Sequence, residues 1–114
     1  MTVTAAVRRD VIARDGSRCQ WCGRHVATES GWYSLQHRRA RGMGGSRRAS
    51  TDAAPNLVLV CGTGTTECHG YIEAHPQEAA ARGFRISSSA DPARVPLLDH
   101  SGQLLDLSAR PVHQ

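Results

Sequence analysis

The sequence predicts a small α+β fold assembled around a cysteine cluster, and three observations carry that prediction. The chain has 114 residues, which suits one core and not two. Its four cysteines fall as two pairs, Cys19-x2-Cys22 and Cys61-x6-Cys68. Stretches of helical periodicity bracket two short apolar runs of strand character. With only two Trp, two Tyr and one Phe, and with eleven Gly, the apolar surface available for burial is modest. Folding therefore leans on something besides a core.

The elements follow in chain order. Residues 7–15 read as a helix, with Val7, Val11 and Ile12 on one face and Arg8, Arg9 and Arg14 elsewhere, ended by Gly16. Residues 17–23 form a knuckle: two cysteines three apart can aim thiolates at one ion while Gly23 permits the reversed backbone. A short strand and loop are expected over 24–30. Trp32, Tyr33 and Leu35 suggest a strand running into His37, and residues 38–48 are a glycine-rich basic loop. Residues 52–55 are a turn, 56–61 a compact apolar strand, and 62–66 a loop. A helix then opens at 68 and runs to about residue 82, broken or restarted where Pro76 follows His75, until Gly83 stops it. A short strand over 84–86 and a hairpin pairing 95–98 with 104–107 complete the chain.

The cysteine pairs read as a structural Zn2+ site more than as a disulfide framework, because zinc takes four thiolates tetrahedrally. Cys19, Cys22, Cys61 and Cys68 are the expected ligands. The x6 spacing is loose, so residues 62–67 must loop out while both sulfurs turn inward. The opening residues lack the apolar stretch of a signal peptide, and no run of about 18 apolar residues offers a membrane span. The expectation is a cytoplasmic protein that keeps its thiols reduced.

Charge is uneven along the chain. Residues 1–50 carry ten Arg against Asp10, Asp15 and Glu29, or +7, and residues 51–114 carry four Arg against seven acids, or −3. The basic half is expected to meet an anion, and guanidinium groups suit bidentate phosphate contacts. Lys is absent altogether, but GC-rich codon usage would also produce that, so its absence is no argument for nucleic acid. Arg38, Arg39, Arg41, Arg47 and Arg48 are the expected nucleic-acid contacts. His37, beside them at the end of a strand, carries an imidazole able to take a proton near neutral pH.

Four segments now stand in order: Arg14-Asp15-Gly16-Ser17-Arg18-Cys19-Gln20-Trp21-Cys22-Gly23, Gln36-His37-Arg38-Arg39-Ala40-Arg41-Gly42-Met43-Gly44-Gly45, Asn56-Leu57-Val58-Leu59-Val60-Cys61 and Cys68-His69-Gly70. Together they resemble the HNH endonuclease family, in particular its short stand-alone members from bacteriophages and bacteria. The resemblance covers residues 7–85. It implies a ββα-metal, treble-clef-like finger over residues 1–86, with 87–114 as a C-terminal extension and not an independent domain. It also implies metal-dependent hydrolysis of DNA phosphodiester bonds. In that scheme His37 is the general base, Asn56 ties back the loop that orients it, and His69 holds one divalent cation (Mg2+, Mn2+, Ni2+ or Zn2+) against the scissile phosphate. Kinship also suggests phage packaging machinery as a partner.

One position departs from the pattern. Many members carry Asp or His immediately before the base, where this chain has Gln36, a neutral and weaker ligand. His75 is taken as the supplementary ligand ahead of Glu73. Six residues of continuous helix rotate by about 600°, so His75 needs a break in the helix, whereas Glu73 at i+4 from His69 lies on the same face. The competing expectation is a zinc-stabilised module that binds nucleic acid without cutting it. His25, His100 and His113 are assigned no role.

Overall fold

The computed structural model describes residues 3–40 and 49–108. Its elements are α1 (Ala5–Arg14), β1 (Tyr33–His37), β2 (Leu57–Cys61), α2 (Glu67–Ala74), α3 (Pro76–Ala81), β3 (Leu97–Leu98) and β4 (Leu104–Leu105). β1 and β2 pair antiparallel, with Tyr33 opposite Cys61 and His37 opposite Leu57. β3 and β4 make a second antiparallel pair. The architecture is thus α+β with two short sheets.

All five residues of β2 are buried because α1 and α2 both pack against it, which is why the strand reads as an unbroken apolar run instead of an alternation. Its edge away from β1 is also occupied: the Leu59 N–H donates to the Asp15 carboxylate, and the Leu59 carbonyl accepts from the Gln20 N–H. Asp15 is held for this task by a double bond pair from Arg14, whose guanidinium also donates to the carbonyls of Ala54 and Leu57. The residues joining α1 to the knuckle therefore fasten both to the central strand.

Local chemistry sets the element ends. The Thr4 hydroxyl accepts from the Val7 N–H and starts α1 two residues before the apolar pattern does. Pro76 opens α3, so the helical stretch breaks at His75 as the sequence requires. The strand expected over 24–30 is absent: a single bridge between Arg18 and His25 and a 3-10 turn at Thr28–Ser30 stand in its place. Residues 84–86 form no strand either. Phe84 enters the core beneath Trp21, 4.8 Å between ring centroids, and the Ile86 N–H donates to the Arg38 carbonyl.

Residues beyond 86 share the core of the preceding ones. Leu97 and Leu107 are buried together with Val58, Leu59, Ile72, Ala79 and Phe84. No helix among the described residues is long and apolar enough to cross a membrane.

Candidate active site

Cys19, Cys22, Cys61 and Cys68 converge, their sulfurs all lying within 4.8 Å of one another, in a cluster that could bind a metal such as zinc. Cys19 and Cys22 come from the knuckle, closed by Gly23 N–H donating to the Cys19 carbonyl. Cys61 ends β2 and Cys68 lies in the first turn of α2. The long spacing between the last two is taken up by a tight turn, in which the Thr66 hydroxyl donates to the Thr63 carbonyl and accepts from the Thr63 N–H. Gly62 and Gly70 permit it, since a Cβ on Gly62 would strike the Thr66 carbonyl and one on Gly70 the Thr65 carbonyl. Burial pushes the Cys19 and Cys68 thiols up. Burial acts the same way on Cys22, but hydrogen bonds from the Arg24 backbone and from the other three sulfurs outweigh it and bring that thiol down. A cation among four crowded sulfurs removes the cost of ionising them side by side.

β1 and α2, together with Arg38, Ala40 and Arg85, also enclose a cleft of about 250 Å³, lined from the two elements by Leu35, Gln36, His37, His69, Ile72 and Glu73. His37 and His69, distant in sequence, share it. Each imidazole is held in one tautomer. His37 Nε2 lies 2.8 Å from Oδ1 of Asp52, a buried carboxylate that can only accept, so Nε2 carries the proton and Nδ1 keeps its lone pair. His69 Nδ1 lies 2.9 Å from the Ser34 hydroxyl, whose own proton goes to the Gly62 carbonyl at 2.7 Å. His69 therefore donates from Nδ1, which in the neutral ring leaves Nε2, 3.6 Å from Glu73 Oε1, as the accepting nitrogen.

Gln36 completes that wall. Its amide nitrogen donates to Glu73 Oε1 at 3.2 Å, while its Oε1 is buried without a hydrogen-bond partner among the described residues. An imidazole nitrogen, a carboxylate and an unspent amide oxygen are donors of the kinds that ligate divalent cations. Asn56 lies behind the cleft, fully buried. Its Oδ1 accepts from the Arg39 N–H at 2.7 Å, and its amide donates to the carbonyls of Arg39 and Thr51 at 3.1 and 2.8 Å. These bonds tie the chain leaving His37 to the chain entering Asp52, so Asn56 holds both partners of the His37–Asp52 pair in place.

The structure corrects the expectation for two arginines and moves a third residue out of the site. Arg38 is 1% exposed, and its guanidinium donates to the carbonyls of Gly83, Pro55, Pro92, Val95 and Pro96. Burial, helped by the nearby Arg14 charge, pushes its pKa down to about 10, and the group stays cationic at neutral pH. Arg39 is buried too, bonded to the Ala90 carbonyl and to the Ser50 hydroxyl. Both guanidiniums are engaged within the protein, where each fastens the C-terminal segment to the chain leaving β1. Arg41, Arg47 and Arg48 lie outside the described residues. His75 is not in the cleft: its ring stacks on Tyr71, 3.9 Å between centroids, and its Nδ1 lies 2.9 Å from the Tyr71 carbonyl at the end of α2. The break that the sequence requires for His75 exists, but it carries the ring away from His69.

Three residues in or beside the cleft are missed or ranked too low by the sequence reading. Asp52 carries no signal beyond its place in a turn four residues before Asn56. Glu73 is visible at i+4 from His69 but ranks second to His75. Arg85 shows nothing local at all. Comparison of the chain with protein-family models, with curated proteins and with solved structures found no match.

Proposed function

We propose that the chain is a metal-dependent endonuclease of the HNH type, a ββα-metal finger that hydrolyses DNA phosphodiester bonds around a structural zinc. One observation carries the reading: two histidines from different elements, each locked in a single tautomer by a buried or bonded neighbour, line the same cleft. His37 Nδ1 is the base, free to take a proton from an attacking water while Asp52 stabilises the charge that the ring acquires. His69 Nε2, Glu73 and Gln36 Oε1 would hold a divalent cation, which when bound supplies charge neutralisation at the phosphate and its leaving oxygen. Asn56 keeps the base oriented, and orientation is much of what a general base contributes. The four cysteines would hold zinc, the ion whose preference for tetrahedral thiolates suits the donor set.

Plasmid nicking tests the proposal, with Mg2+, Mn2+, Ni2+ or Zn2+ added to wild type and to His37→Ala. Cutting by wild type that falls at least 100-fold in the variant supports it. The neutral Gln36 favours a second reading, a zinc-stabilised module that binds nucleic acid without cutting. Salt-sensitive binding with no nicking under any metal selects that alternative.

A further inference from the structure

We infer that Arg85 is the phosphate anchor of the cleft, the group that seats a nucleic-acid backbone against His37 and His69; the inference rests on the nuclease reading and specifies how substrate is held. Two cationic side chains line the cleft among the described residues, Arg38 and Arg85. They are in opposite states. Arg38 is buried and spends its donors on five carbonyls. Arg85 is exposed and makes no hydrogen bond or ion pair with any described residue. An arginine with all five donors unspent on the rim of a cleft suits the non-bridging oxygens of a phosphodiester, which it can take in a bidentate fork.

The backbone beneath Arg85 is fastened on both sides. The Phe84 N–H donates to the Ala79 carbonyl, the Ile86 N–H donates to the Arg38 carbonyl, and the Phe84 ring is buried in the core. Arg85 therefore projects from an ordered stretch one residue from the strand exit that carries His37. Pinning the stem in this way leaves only the side chain to be ordered when a ligand arrives, which lowers the entropic cost of binding. The rest of the cleft needs such a cation. Glu73 brings negative charge to it, and Arg85 brings a guanidinium that no carboxylate among the described residues pairs with.

The test measures binding and cutting separately for wild type, Arg85→Ala, Arg85→Lys and, as a control, Arg94→Ala, an exposed arginine outside the cleft. Binding of a labelled DNA duplex is followed by anisotropy across a range of NaCl with no catalytic metal added. Removing one phosphate contact makes the slope of log affinity against log salt shallower by about 0.9 and weakens binding about five- to tenfold near 0.1 M salt. Arg85→Ala is expected to show both, with an unchanged thermal melt. Arg85→Lys is expected to keep the salt slope but recover cleavage only in part, because an ammonium cannot fork. Arg94→Ala is expected to match wild type. An Arg85→Ala protein that binds with the wild-type slope and cuts at the wild-type rate overturns the assignment, as does a wild type with no affinity for DNA. Loss of slope in Arg85→Ala, in a wild type that never cuts, upholds the anchor and sinks the hydrolase.

Discussion

Asp52 and His37 are fifteen residues apart and meet with Oδ1 2.8 Å from Nε2. The contact determines which imidazole nitrogen can accept a proton, and it joins a strand end to a 3-10 turn that nothing in the local sequence marks as its partner. Asp52→Asn should therefore be damaging without unfolding the protein. An amide can present its NH2 to Nε2 and select the opposite tautomer, with the proton on the Nδ1 that the proposed mechanism uses as its base. The expected loss of nicking rate is about 100- to 10,000-fold with little change in melting temperature. A rate within threefold of wild type would show that the pair does not serve catalysis.

The wall formed by Gln36, His69 and Glu73 predicts how metal dependence responds to mutation. Glu73→Ala should raise the metal concentration that half-saturates cleavage by about tenfold or more. Gln36→Asp, which replaces a neutral oxygen with a charged one, should lower it. His75→Ala should leave it alone, since that ring stacks on Tyr71 outside the cleft. Titrating Mn2+ or Ni2+ against initial nicking rate checks all three, and a shift with His75→Ala comparable to that with Glu73→Ala contradicts the ligand set.

Folding should depend on the cysteine cluster. Zinc bound by such sites contributes about 10 kcal/mol or more in small metal-folded peptides, comparable to the entire stability of a domain this size. Cys19→Ser or Cys68→Ser is expected to abolish the cooperative melt, and a strong chelator to do the same to wild type. Circular dichroism with a zinc assay reads both, and either variant melting cooperatively with stoichiometric zinc would remove its residue from the ligand set.

Arg38 should behave as a structural residue and not as a contact to nucleic acid. Truncating it to Ala strands five carbonyls, three in the C-terminal segment, one in the turn before β2 and one at Gly83 after α3, and the expected cost is about 3 kcal/mol or more. Arg38→Lys should recover little, since one ammonium cannot span carbonyls on several sides. Urea unfolding measures this directly. An unfolding free energy for Arg38→Ala within about 0.3 kcal/mol of wild type would mean that the carbonyls find other donors.

What short-range chemistry dictates is legible in the order of residues alone. The spacing of Cys19 and Cys22 across Gly23 requires a knuckle, the run from Leu57 to Cys61 requires a covered strand, and Pro76 requires a break in the helix. Each depends on neighbours a few positions away, and each is present. Tertiary structure alone decided which polar groups meet. Arginine ordinarily lies at the surface, so nothing local distinguishes Arg38, drawn inside by carbonyls as far away as Pro96, from Arg85, left open over the cleft. The same holds for Asp52 against His37, and for Glu73 displacing His75: the order of residues along a helix fixes its faces, but only packing against β1 chooses the face that looks into the site.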